Sequence, residues 1–189
     1  MSWTTNWNKS NKRAYSWKYI DRACKSLAET LIESSDPPVR IVAMSRGGLP
    51  PATILANYLD IREIVSVGVR SYESKPDGTH HIYEPVVYQD AWRSAPGLSN
   101  GDTVLVVDDI SDKGATFKYV LDKLDSNISR ATNLITTSIF IKDRTSYIPD
   151  YYYKKVPDDQ WVEFPWEHKK LTTAPQAPAR APLTMADTP

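Results

Sequence analysis

The sequence predicts an α/β domain built on a mainly parallel, twisted sheet flanked by helices, and two observations predict it. Short apolar runs alternate with stretches of helical periodicity in the order strand, turn, helix, repeated, which is the pattern of parallel strands joined by crossover helices. Two of those runs end in glycine-bearing turns, "SRGG" at Ser45 to Gly48 and "DDISDKGAT" at Asp108 to Thr116, each leading into a helical stretch. With 189 residues and 41% apolar content, the chain is long enough to bury one proper core.

Met1 to Arg13 is polar apart from Trp3 and Trp7 and reads as an arm, residues 1–13, preceding a domain of residues 14–170. From Ser16 to Glu33 the apolar residues Ile20, Ala23, Cys24, Leu27, Ala28 and Leu31 follow the i, i+3, i+4, i+7 rhythm of an amphipathic helix. "VRIVAM", Val39 to Met44, is a buried strand entered after two prolines. A helix follows, with Pro50 and Pro51 in its first turn, where a missing N–H costs little. "IREIVSVGVRSY" is a second β-rich run. Glu73 to Asn100 is then long, polar and proline-punctuated, with a short strand candidate at "PVVYQ", and reads as a lid or a disordered loop. Thr103 to Val107 forms the next strand, Ala115 to about Leu124 a helix, and Leu134 to Lys142 a further strand. From Leu171 the chain is rich in Ala, Pro and Thr, which predicts a disordered tail, residues 171–189.

Basic and acidic residues balance at 23 each, so no overall field draws the protein to nucleic acid or to an anionic membrane, and any anionic ligand must be held locally. The single cysteine, Cys24, cannot form an internal disulfide and fits a reducing compartment. No apolar run approaches the roughly 18 residues of a membrane span, and the N-terminus lacks the apolar stretch of a signal peptide. A soluble, cytoplasmic protein is the expectation.

Ligands of open parallel sheets sit outside the carboxyl ends of the strands, where helix N-termini present free N–H groups. Both glycine turns fall at such ends. Each lets the backbone approach an anion closely and aims amides at phosphate oxygens. Asp108 and Asp109 cannot hold phosphate; they suit sugar hydroxyls or Mg²⁺, so the expected ligand is a phosphorylated sugar. A strand ending in two acids also occurs in receiver-type phosphorelay domains, where the acids cap a helix or hold a metal. His80 and His81 are adjacent and lack a third spaced ligand, so zinc is not expected there.

"VLVVDDISDKGAT" resembles the phosphoribosyl pyrophosphate (PRPP) signature of the type I phosphoribosyltransferases: four apolar residues, two acids and a phosphate turn. "SRGG" resembles that family's pyrophosphate loop, and Ser71 and Tyr72 stand where its flexible lid begins. "FIKD" with Lys142, followed by "DDQWVEFPWE", resembles the base-binding end of bacterial xanthine-guanine phosphoribosyltransferases; the likeness runs from about Trp17 to Lys169. The resemblance implies a parallel sheet with a small hood and a lid. It also implies displacement of pyrophosphate from C1′ of PRPP by a purine nitrogen, with Mg²⁺ as cofactor and a homo-oligomeric assembly.

On that resemblance, Asp108 and Asp109 hold the ribose hydroxyls and Asp109 also reaches Mg²⁺. Ser45, Arg46, Gly47 and Gly48 take pyrophosphate, and Asp112 faces the purine N7. Lys113, Gly114, Ala115 and Thr116 cradle the 5′-phosphate with Asp112 at the head of the turn. Lys142 donates to a 6-oxo group, Trp161 stacks on the base, and the backbone of Val162 meets the purine's 2-position edge. The family usually has Thr where this chain has Lys113, and its second glycine is Ala115 here. A weakened or retuned PRPP site is therefore expected, with Lys113 directed either to the phosphate or toward Asp112. The alternative reading is a sensor of the same fold that binds PRPP or a nucleotide without turnover.

Overall fold

The computed structural model describes residues 3–5, 11–74, 80–90, 101–127 and 132–167. The expected tail, 171–189, lies outside these residues, as does the end of the expected lid at 91–100. The order of elements is β1 (Trp3–Thr5), β2 (Lys12–Ala14), α1 (Trp17–Ile32), β3 (Arg40–Ser45), α2 (Leu49–Leu59), β4 (Ile64–Ser74) and β5 (His80–Asp90). Then follow β6 (Thr103–Ser111), α3 (Ala115–Asn127), β7 (Asn133–Lys142), β8 (Tyr151–Val156) and β9 (Trp161–Glu163).

Seven strands form one sheet in the order β1-β5-β4-β3-β6-β7-β8, and β2 pairs with β9 in a second, two-stranded sheet. The central strands β4, β3, β6, β7 and β8 are all parallel, while β5 and β1 add antiparallel pairs at one edge. The sheet class is the one the sequence predicts. Its centre is buried on both faces, which is why its strands read as unbroken apolar runs. Ile41, Ala43, Leu105 and Val107 point into a core shared with α1 and α2. The alternate residues Val42, Met44, Val104 and Val106 point the other way, into a core with Phe117, Val120 and Leu124 of α3.

The first helix begins where Ser16 caps it, its Oγ accepting from the Tyr19 N–H at 3.2 Å. All six residues expected on its apolar face are buried. Asp60, in the left-handed region at φ 52°, ends α2 and lets Ile61 turn back into the core, where its N–H reaches the Ala56 carbonyl at 2.9 Å.

Two stretches differ from the sequence reading. Much of the expected lid is regular: β4 continues through Ser74 and pairs with an 11-residue β5. Pro85 argues against a strand interior, but the ladder shifts register between Arg70 and Tyr72, beside the part of β5 that carries the proline. The expected arm also enters both sheets. Trp3, Thr4 and Thr5 pair with Ile82, His81 and His80, the same three residues that face Tyr72, Glu73 and Ser74 on the other side. Lys12, Arg13 and Ala14 pair with Trp161, Val162 and Glu163, and Lys12 bridges Glu163 at 2.6 Å.

Candidate active site

The ends of β3 and β6 lie side by side because the strands are parallel neighbours, Ala43 opposite Val107. The β3 turn closes tightly, Gly48 N–H to the Met44 carbonyl at 2.7 Å, and the Ala52 N–H of α2 then reaches the Gly48 carbonyl at 3.0 Å. Ser45 turns its hydroxyl onto β4, donating to the Val67 carbonyl at 3.1 Å. The Ser45–Arg46 peptide is cis, and the Arg46 side chain is exposed.

Both glycines of this turn are there for space. A Cβ on Gly48 would lie 2.8 Å from the Met44 carbonyl oxygen and closer still to that of Val107. A Cβ on Gly47 would lie 2.6 Å from Cγ of Asp109. The carboxylate of Asp109 therefore packs directly on the Gly47 backbone, which brings together two regions that are 62 positions apart in sequence, 109 minus 47.

Asp108 and Asp109 are half-buried at the end of β6, and the Asp109 N–H donates to Asp108 Oδ1 at 3.0 Å. Burial raises both acids. For Asp108 the neighbouring Asp109 adds to the effect. For Asp109, carried up to about 7, the charge of Glu167 adds to it. The hard oxygens of this pair suit a small divalent cation or sugar hydroxyls. Among the described residues no cluster of three or more His, Cys, Asp or Glu is placed to hold a metal. A magnesium ion here would thus complete its shell with water and substrate oxygens, as that ion commonly does.

The β6 turn is held from outside by Arg144 to Tyr147, the segment after β7. Arg144 Nε donates to Asp112 Oδ1 at 2.9 Å, and its Nη2 donates to the same oxygen. Ser111 Oγ lies 2.8 Å from Thr145 Oγ1 and donates to the Tyr147 carbonyl at 2.8 Å. Ser146 donates twice to the Lys113 carbonyl, from its N–H at 3.1 Å and its Oγ at 2.8 Å. Gly114 has φ 79°, and a Cβ there would lie 2.8 Å from Tyr147 Cβ. Lys113 is exposed, and the cation that pairs with Asp112 is Arg144. Ala115 is exposed and Thr116 half-buried at the start of α3.

Lys142 is 3% exposed and is drawn below the usual lysine range by that burial. Its ammonium donates to the carbonyls of Pro157 at 2.9 Å, Asp158 at 3.3 Å and Gln160. It thereby fixes the loop that delivers Trp161, half-buried on β9, and Val162, which is core. An ammonium has three donors, so contact with a ligand would replace or share one of these bonds. Ser71 and Tyr72 lie on the outer part of β4, opposite β5.

Arg144, the carbonyls of Pro157 to Gln160 and Glu167 were not singled out by the sequence. The one visible sign was Arg144 itself, a second cation two residues beyond Lys142 at the mouth of a strand.

A parallel α/β sheet with two glycine turns meeting at an acidic pair defines the type I phosphoribosyltransferase class of fold. The chain belongs to the phosphoribosyl transferase domain family, whose profile its residues 10–172 match. It is 33% identical over 159 residues to a xanthine-guanine phosphoribosyltransferase of Gluconobacter oxydans, covering 84% of this chain and 86% of that protein. A second protein of that name, from Idiomarina loihiensis, is 29% identical over 161 residues, 85% of this chain and 90% of that one. Among solved structures, a purine phosphoribosyltransferase from Pyrococcus horikoshii superposes with a TM-score of 0.67 at 30% identity, covering 85% of this chain and 97% of that chain.

Proposed function

We propose that the protein is a Mg²⁺-dependent purine phosphoribosyltransferase of purine salvage. It transfers the 5-phosphoribosyl group of PRPP to a 6-oxopurine, guanine, xanthine or hypoxanthine, and releases pyrophosphate. The observation that carries this reading is the packing of the Asp109 carboxylate on Gly47, which sets the acidic pair against the turn proposed for pyrophosphate. The names of the bacterial relatives support a purine as acceptor.

In this mechanism a purine nitrogen forms a bond to C1′ as the bond from C1′ to the pyrophosphate oxygen breaks, and the sugar becomes cation-like between them. Asp108 and Asp109 accept from the ribose hydroxyls, and Asp109 would also hold a magnesium ion, directly or through water. Bound there, such an ion would supply positive charge against the pyrophosphate as it leaves. Arg46 and the amides of Gly47 and Gly48 receive that leaving group, while the turn from Asp112 to Thr116 holds the 5′-phosphate. Asp112 takes the N7 proton as the purine is alkylated. Lys142 faces the 6-oxo group, exchanging one carbonyl of the Pro157–Gln160 loop for it, and Trp161 stacks on the ring. Ser71 and Tyr72 belong to the covering arm. Cytoplasmic location and a homo-oligomeric state complete the proposal; among the described residues no helix is long and apolar enough to cross a membrane.

The test is nucleotide formation from PRPP, Mg²⁺ and each of guanine, xanthine, hypoxanthine and adenine. Turnover of the 6-oxopurines is expected, falling by about 10²–10⁴-fold in Asp112→Asn and ceasing when the metal is chelated. Folded protein that binds PRPP yet forms no nucleotide from any base would replace this reading with the sensor.

A further inference from the structure

We propose that Arg144 is the positioning residue of Asp112, fixing which carboxylate oxygen faces the base; the proposal rests on the functional reading above. Nε and Nη2 of Arg144 both donate to Oδ1 of Asp112, and no bond to Oδ2 is seen among the described residues. A carboxylate held by one oxygen through two donors in a planar fork cannot rotate freely, so its second oxygen keeps one direction. That direction matters because proton transfer at N7 depends on a hydrogen bond of the right length and angle when the base arrives.

The backbone that carries this guanidinium is itself anchored. Arg144 N–H donates to Asp158 Oδ1 at 2.8 Å, in the loop whose carbonyls bind Lys142, and the next N–H, of Thr145, reaches the Lys142 carbonyl at 3.3 Å. Thr145 and Ser146 then bond to Ser111 and Lys113 on either side of Asp112. Arg144 thus stands at a junction, tied by its backbone to the proposed base pocket and by its side chain to the head of the phosphate turn. It acts on the reaction through Asp112 and is not a catalytic residue.

The experiment is a kinetic cycle of Arg144→Met, Asp112→Asn and the double variant, with Arg144→Lys alongside, varying purine and PRPP separately. Arg144→Met is expected to lower kcat/KM for the purine by about 10–100-fold, with the KM for PRPP changed less than about 2-fold. In the Asp112→Asn background the same change is expected to have little further effect, because the group it positions is gone. Arg144→Lys, which keeps charge but loses the fork, is expected to recover only part of the activity. An equal loss in both backgrounds overturns the proposal. If Arg144→Met does not fold, Arg144→Lys takes its place in the same cycle. Crystal structures of the wild type and the Arg144 variant without ligand supply a readout independent of turnover. Asp112 leaving its rotamer in the variant supports the proposal, and Asp112 unmoved overturns it. Should the wild type use no purine at all, the functional reading fails by itself and these structures still decide the role of Arg144.

Discussion

The two turns proposed to hold the two phosphate ends of PRPP are built on different physical grounds. The β3 turn depends on absent atoms: Gly47 leaves room for the Asp109 carboxylate, and Gly48 lies against the carbonyls of Val107 and Met44. The β6 turn depends on added bonds, since Arg144, Thr145 and Ser146 reach in from behind it to Asp112, Ser111 and Lys113. A turn made by close approach fails abruptly when an atom is added, because neighbouring backbone has nowhere to move. A turn made by hydrogen bonds weakens in steps of about 1 kcal/mol as each bond is removed.

The largest effect that follows is at Gly48. Gly48→Ala is expected to destabilise the fold by about 3 kcal/mol and to abolish turnover, read by thermal unfolding and the nucleotide assay. A soluble, active Gly48→Ala protein would show that the first turn is not limited by space. Ser111→Ala, at a fully buried hydroxyl between Thr145 and Tyr147, comes next, at about 1–2 kcal/mol in denaturant unfolding. A loss as large as that of Gly48→Ala would erase the distinction between the turns. Lys113→Thr is smaller: it restores the hydroxyl the family usually has and is expected to shift the KM for PRPP by about 2–10-fold, with no change in melting temperature. An unaltered KM would remove this side chain from the phosphate site. Ser146→Ala has the least effect, about 0.5 kcal/mol, because the hydroxyl is exposed and the backbone N–H still bonds the Lys113 carbonyl. A stability change above about 1.5 kcal/mol would mean that the second turn is less redundant than its bonds suggest.

The same contrast explains what was legible in the sequence. Space-limited features leave a mark in residue type, so the glycine turns could be placed from sequence, as could the six buried positions of α1, whose period is that of a helix. The strands buried on both faces were legible as apolar runs, with β6 extending four residues past the expected Val107, to Ser111, along its neighbour β7. Bond-limited features leave almost none. Arg144 and Asp112 are 32 residues apart, and any arginine on the surface would look the same. β8, "YYYKKV", has lysines and no clean alternation because it is an edge strand, and β1 and β2 are three residues each, too short for a period to register.

Trp3, Thr4 and Thr5 form the outermost strand of the large sheet, bordering the antiparallel arm on which Ser71 and Tyr72 lie. Three rungs grip a chain end weakly. Residues fused ahead of Trp3 would adjoin a strand whose partner residue Ile82 also pairs with Tyr72. Kinetic constants for this protein should therefore be compared with and without residues fused ahead of Trp3.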